Sequence, residues 1–413
     1  MRQNFSILLV VLLSGGGIPF FNSWDGLFIL TLILTILNFN SFIRNINKKL
    51  IVMCLIWLGY FFISTITTDN LFHPMFLTLT IFKIIIAHNI LVSVGSNFFV
   101  YYEKIIYSLV IISLFFYSFQ IFFDEQLYNF INTFDLSENY GSDNIKYASV
   151  IFYTFHENIN MSGLPRNSGF CWEPGPFSLF IILAMFINVV VRGDKFFSKR
   201  SIVYILAIIT AQSTTSLTAL LVFLLWYIYT NSFSKFKSFY LSLVLFFVSL
   251  SFIYNPILYS KILEESQQDY SELLDLSLEY NSSYNPGRFA SLAMRFNDFL
   301  NYPIAGTAGA SHLTIGYHDE ETIVSPVGGI AEILGKYGLI GSLIFILLLS
   351  KLVRFFNYNF YGNYSIIAFI IIITGFGFSI ILSPIYFCLY FYPIYYNKID
   401  YTNKFINKLK SIT

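Results

Sequence analysis

The feature that most constrains this chain is the recurrence of apolar runs about long enough to cross a lipid bilayer. The hydrocarbon core is about 30 Å thick and takes about 20 mostly apolar helical residues to span. Candidate runs lie near 4–21, 24–39, 50–67, 74–94, 105–123, 175–191, 201–213, 215–230, 238–254, 338–353, 366–383 and 385–397. The expected fold is therefore all-α. It is a polytopic integral membrane protein of about 12 transmembrane helices (range 10–12), with residues 1–413 forming one membrane domain. Composition agrees, with 56% hydrophobic and 11% charged residues against about 25% charged in soluble domains. Arg2 and "FSILLVVLL" look like the front of a signal peptide, but no A-x-A-like site follows and another apolar run begins at once. The first run is read as a retained span.

Positive residues stay on the cytoplasmic side of such proteins. With the N-terminus inside, the cytoplasmic segments collect 17 of the 24 basic residues, from Arg2 and Lys48 through Arg192 and Arg200 to Lys410. Only Glu103, Asp194 and Asp400 of the 23 acidic residues fall on that side. Both termini are thus expected in the cytoplasm. Two large extracytoplasmic loops result, 124–173 and 255–337, both polar, acidic and rich in turns. Cys54, Cys171 and Cys388 lie too far apart to suggest a disulfide framework or a zinc site. Net charge near zero, without a basic patch, gives no sign of nucleic-acid binding. No internal repeat or inverted pair of broken helices is evident, which weakens a transporter reading. Lys83 and His88 are the conspicuous mid-span polar residues. Five apart, they do not share a face, and Lys83 reads as a snorkelling side chain near the cytoplasmic half.

Three arginines fall outside: Arg166, Arg288 and Arg295. Residues 261–280 have apolar residues at helical spacing and read as a solvated amphipathic helix. In "NPGRFASLAMRFNDFLNYP", Asn285 suits a helix cap and Pro286 the first helical position. Arg288 and Arg295 then share a face two turns, about 10 Å, apart, with Ser291 nearby. Arg295 either pairs with Asp298 at i, i+3 or joins the others in holding an anion, since the planar guanidinium fork matches phosphate. In "RNSGFCWEPGPFSLFIILAMF" (166–186) Pro174 or Pro176 can start a helix. Glu173 would then face the positive end of its dipole, and Trp172 suits an interface anchor. Capping explains Glu173 but not Arg166.

That segment resembles the Arg-x-x-Gly-Phe-x-x-Glu-Pro-Gly stretch of bacterial O-antigen and capsular repeat-unit polymerases, the Wzy type. Three further stretches are similar to the family in the same order: "AQSTTSLTALLVFLLW", "RFNDFLNYPIAGTAGASH" and "IAEILGKYGLIGSLIFILLL". The likeness covers about 166–350 by motif. It departs from relatives, ligases included, that carry a His just before the late span, where this chain reads "IVSPVGG".

The resemblance implies a GT-C-like architecture in the bacterial inner membrane. It implies transfer of a growing glycan from polyprenyl diphosphate to the terminal sugar of a new lipid-linked repeat unit, on the outer face. Donor and acceptor are both polyprenyl-diphosphate-linked oligosaccharides, and membrane lipid and a chain-length regulator are the other expected partners. No metal or cofactor is expected; "HDEE" (318–321) reads as a solvated loop turn. Diphosphate is a good leaving group, so charge stabilisation matters most. Arg166 and Arg288 are assigned to the donor diphosphate, and Arg295 to the acceptor diphosphate or to supporting it. Candidate bases for the attacking hydroxyl are Glu173, His312, His318, Asp319 and Glu321. The rival readings are an O-antigen ligase and a non-enzymatic flippase or exporter.

Overall fold

The computed structural model describes residues 2–18, 20, 23–44, 48–68, 74–137, 146–157, 164–231, 271–272, 275, 286–310, 317–318, 321–322, 324, 328–360 and 362–396. The helices, numbered here in chain order, are α1 (Arg2–Gly15), α2 (Trp24–Leu37), α3 (Phe39–Arg44), α4 (Lys48–Thr67), α5 (Pro74–Val94), α6 (Phe98–Phe122), α7 (Asp124–Asn132), α8 (Pro174–Phe186), α9 (Lys199–Ala211), α10 (Thr214–Asn231), α11 (Arg288–Asn301), α12 (Gly329–Phe360), α13 (Ile366–Gly377) and α14 (Pro384–Tyr395). Two small antiparallel hairpins complete the described elements: β1 (Tyr147–Val150) with β2 (Tyr153–His156), and β3 (Tyr317–His318) with β4 (Glu321–Thr322).

The protein is mostly helical and membrane-embedded. Four helical stretches among the described residues are long and apolar enough to cross a bilayer: Lys48–Thr67, Met75–Phe122, Pro174–Val191 and Gly329–Phe360. Arg2–Gly15, Asp25–Leu37, Thr214–Thr230 and Ile366–Gly377 are apolar but shorter. The candidate run 238–254 and most of the expected helix 261–280 lie outside the described residues. Lipid is the medium that tolerates the outer surface. Ile51, Leu55, Phe62, Ile66, Phe115, Leu343, Ile346 and Leu347 all face outward, more contiguous apolar surface than water-soluble proteins present.

α8 is the central helix. Every one of its residues is buried, as expected of a helix apolar on all sides. It packs against α6, α9, α10 and α13, and a π-helical turn, Ile187–Val191, continues it. The span expected at 105–123 starts earlier, at Phe98, and a 3-10 turn at Gly95–Asn97 joins it to α5. Glu103 and Lys104, read from sequence as connection, are therefore helical. The region 124–173 is more than loop. α7 and the β1–β2 hairpin enclose a small core of Tyr117, Leu127, Ile131, Ala148, Tyr153 and Phe155.

α12 is broken at Gly338 (φ +60, ψ −157). The segment 303–308 docks on the break through its backbone. Thr307 N donates to Gly335 O and Ala308 N to Lys336 O, both at 2.9 Å, while Leu339 N donates to Pro303 O at 2.9 Å and Ile340 N to Ile304 O at 3.1 Å. The helix's freed carbonyls and amides are thus satisfied by a loop inside the protein, as burial demands.

Candidate active site at one end of the helix bundle

The segment before α8 is fixed residue by residue. Asn167 accepts from Gly169 N at 3.0 Å and donates to Thr210 Oγ1 at 3.2 Å. Gly169 has φ +53, and a Cβ there would meet the Phe177 ring at 2.3 Å. Phe170 lodges against Gly15 and Gly17, where Cβ atoms would lie 2.5 Å from its ring and 2.6 Å from its carbonyl oxygen. Trp172 N donates to Gly15 O at 3.4 Å. The end of α1 thus forms one wall of the site.

Arg166 emerges from this anchored segment, half-buried. Its Nε donates to Ala211 O at 3.3 Å and an Nη to Gln212 O at 3.4 Å. These carbonyls are the C-terminal end of α9, where the helix dipole favours a cation. Burial pushes the Arg166 pKa down, Glu173 opposes that, and the Arg288 charge adds to it. Arg166, Arg288 and Glu173 therefore lie within electrostatic reach of one another. Arg288, the first residue of α11, places its guanidinium over the Phe378 ring at 5.3 Å, a cation–π arrangement. Phe378 is itself seated on Gly175, where a Cβ would come within 1.9 Å of the ring. The Glu-Pro-Gly segment thus supplies both Glu173 and the seat of the ring beneath Arg288.

Glu173 occupies the N-cap position of α8, but its side chain makes no capping hydrogen bond. It is exposed and within electrostatic reach of Arg166, at the positive end of the helix dipole as the sequence suggests. Pro174 does start the helix. α11 is likewise capped by Gly287 and begins at Arg288. Pro286 precedes the helix rather than opening it, and Asn285 lies outside the described residues. Ser291 is buried and donates to Pro286 O at 3.2 Å.

Arg295 does not join the pair. It is buried, donates to Asp298 Oδ2 at 2.8 Å, and packs its Cδ against Gly335. The i, i+3 ion pair is its place in the structure. His312 and Asp319 lie outside the described residues. The backbone of His318 pairs with that of Glu321 across the β3–β4 hairpin; the side chains of both lie outside what is described.

A histidine that sequence reasoning passed over borders the site. His156 ends β2, and its Nε2 lies 2.7 Å from Trp172 O. A carbonyl only accepts, so Nε2 carries the proton and Nδ1 is the bare nitrogen of the neutral ring. Burial pushes its pKa below the ordinary 6.5; the Trp172 carbonyl opposes this and Arg166 adds to it. Nothing in "YASVIFYTFHE" distinguishes this histidine before the hairpin folds.

Lys83 lies within electrostatic reach of Glu332 and Lys336 of α12, which pair with each other at 2.8 Å. His88 is separate from it, with Nδ1 2.6 Å from Tyr395 Oη. The described residues contain no group of three or more His, Cys, Asp or Glu placed to hold a metal. No protein-family model, characterised protein or solved structure matches the chain.

Proposed function

We propose that the protein polymerises lipid-linked oligosaccharide repeat units, of O-antigen or capsule, at the outer face of the bacterial inner membrane. It would do so with a twelve-span, both-ends-inside, GT-C-like fold. The observation that carries the reading is the convergence of Arg166 and Arg288, from two different loops, beside Glu173 at the head of the buried α8. Two half-buried like charges raise each other's energy, and a bound diphosphate relieves it. The two guanidinium forks take its oxygens and stabilise it as the leaving group.

Glu173, beside Arg166, accepts the proton of the attacking sugar hydroxyl. The bond from the donor sugar's anomeric carbon to diphosphate oxygen breaks as the new glycosidic bond forms. His156, through the Trp172 carbonyl, positions the segment that bears Glu173. A chain-length regulator acting on the product is part of the same proposal.

The test is a deletion strain. Loss of a polymerase leaves surface acceptors capped with a single repeat unit. Accumulated long lipid-linked polymer with bare acceptors would instead identify a ligase and overturn the reading.

A further inference from the structure

α4, α5, α12 and α14 enclose a groove of about 310 Å³, lined almost wholly by apolar side chains. Along α12 it runs from Ile333 to Lys351, about 27 Å at 1.5 Å per residue. α4 and α12 are both long and apolar enough to cross the bilayer, so the groove lies at the depth of lipid chains. The one charged residue of its lining, Lys351, is at the far end; at the head two lysines stand beside the lining. Lys83 follows the lining residue Thr80 by one turn, and Lys336 sits between the lining residues Ile333 and Tyr337. Lys83 lies within electrostatic reach of Lys336 and Glu332, two cations and one carboxylate. Charged groups at such depth are costly and mark ligand sites.

The head stands near the Arg166–Arg288 pair. A Cβ on Gly329 of α12 would lie 2.6 Å from the backbone of Phe378, whose ring carries Arg288. Lys336 is seven residues further along α12, about 10 Å away.

We infer that this groove seats a second lipid diphosphate, its isoprenoid chain between α4 and α12 and its diphosphate on Lys83 and Lys336. This rests on the polymerase reading, in which donor and acceptor each carry such a lipid. Arg166 and Arg288 hold the one that leaves; the groove holds the one that keeps its carrier. Arg295, buried against Asp298, takes no part in it.

Native mass spectrometry of the full chain in phosphatidylcholine nanodiscs tests this, with sugar-free polyprenyl diphosphate, polyprenyl alcohol and phosphatidylglycerol as probes. The wild type should retain two diphosphate lipids per chain. Lys83→Met should weaken the second about tenfold, or 1.4 kcal/mol, while alcohol retention holds and Lys83→Arg restores binding. Leu348→Trp, which fills the groove, should lose the second diphosphate lipid and the alcohol together. A single bound diphosphate lipid in the wild type, indifferent to both variants, overturns the proposal, as does equal displacement by phosphatidylglycerol. Two bound diphosphate lipids in a protein whose deletion does not shorten the glycan keep the groove's assignment and sink the polymerase reading alone.

Discussion

Arg288 places its guanidinium over the Phe378 ring, 5.3 Å from the ring centre, and within electrostatic reach of Arg166. Lysine supplies a point charge without the fork. Arg288→Lys should therefore lose most of the polymer on a gel while membrane abundance stays normal. Arg295 meets Asp298 Oδ2 at 2.8 Å, a contact that an ammonium can replace, so Arg295→Lys should be milder. Full-length polymer from Arg288→Lys would remove Arg288 from the site. His156 carries a pH dependence of definite sign. Its folded pKa is lowered, so as pH falls below 6.5 the unfolded chain takes up a proton before the folded one does. Stability is whole above that pH and is lost as pH falls toward the folded pKa. The unfolding temperature in detergent should drop between neutral pH and about pH 5, and drop less in His156→Gln, whose amide still donates to Trp172. Equal acid losses in both would clear His156 of the effect. At this scale the sequence singled out Arg166, Glu173 and Arg288, and the fold brings the three within electrostatic reach of one another. It left Arg295 open between ion pair and ligand, because spacing shows a neighbour in reach but not that both partners are buried.

At the scale of elements, the stretch "NYPIAGTAGA" follows α11 within the loop 255–337 that reads in sequence as rich in turns. In the structure it is the insert that completes the broken α12. Gly306 and Gly338, with φ of +64 and +60, face each other so closely that a Cβ on Gly338 would lie 2.4 Å from Gly306 N and 2.7 Å from Ile304 O. The glycines were visible; what they serve was not, since the docking joins backbones some thirty residues apart. Strain of this kind costs about 1–3 kcal/mol before any clash. Gly338→Ala should lower the folded fraction recovered from membranes and the unfolding temperature. Gly59, in the middle of α4, provides the contrast, because a Cβ there would meet nothing within 4 Å. Gly59→Ala should raise stability by about 0.5–1 kcal/mol. Equal behaviour of the two variants would mean that the α12 break is not held as described. The β1–β2 hairpin was illegible for a related reason: four-residue strands in a polar loop have too short a pattern to separate from turns.

At the scale of the molecule, α6 links two chemically different ends. Near its start Glu103, fully buried, accepts from Arg192 and Arg200 at 2.8 Å each and from Tyr204 at 2.8 Å. Near its finish Gln120 donates to His156 O at 2.9 Å, beside the candidate site. Seventeen residues separate Glu103 from Gln120, about 25 Å of helix, close to the thickness of the hydrocarbon core. The termini of other helices sort the same way. Gln3 donates to Ser93 O, and Tyr392 to Ser96 O, at the Glu103 end; Lys49 donates to Ile394 O there as well. Ser14 accepts from Ile385 N at the site end. The basic residues that the sequence placed together on one side thus include a set that the fold gathers at one end, away from Arg166 and Arg288. Removing both arginines would leave the buried Glu103 charge unpaired, so that end is also a structural fastening. Which end faces the cytoplasm is a separate matter, and the positive-inside rule assigns the Glu103 end to it. Reporter fusions at 196 and 356 should therefore read as cytoplasmic, and fusions at 145 and 275 as extracytoplasmic. Fusions that read 145 and 196 on the same side would break the two-ended arrangement. A cytoplasmic reading at 145 or 275 would put the two arginines on the wrong face for a lipid-linked glycan delivered to the outer leaflet.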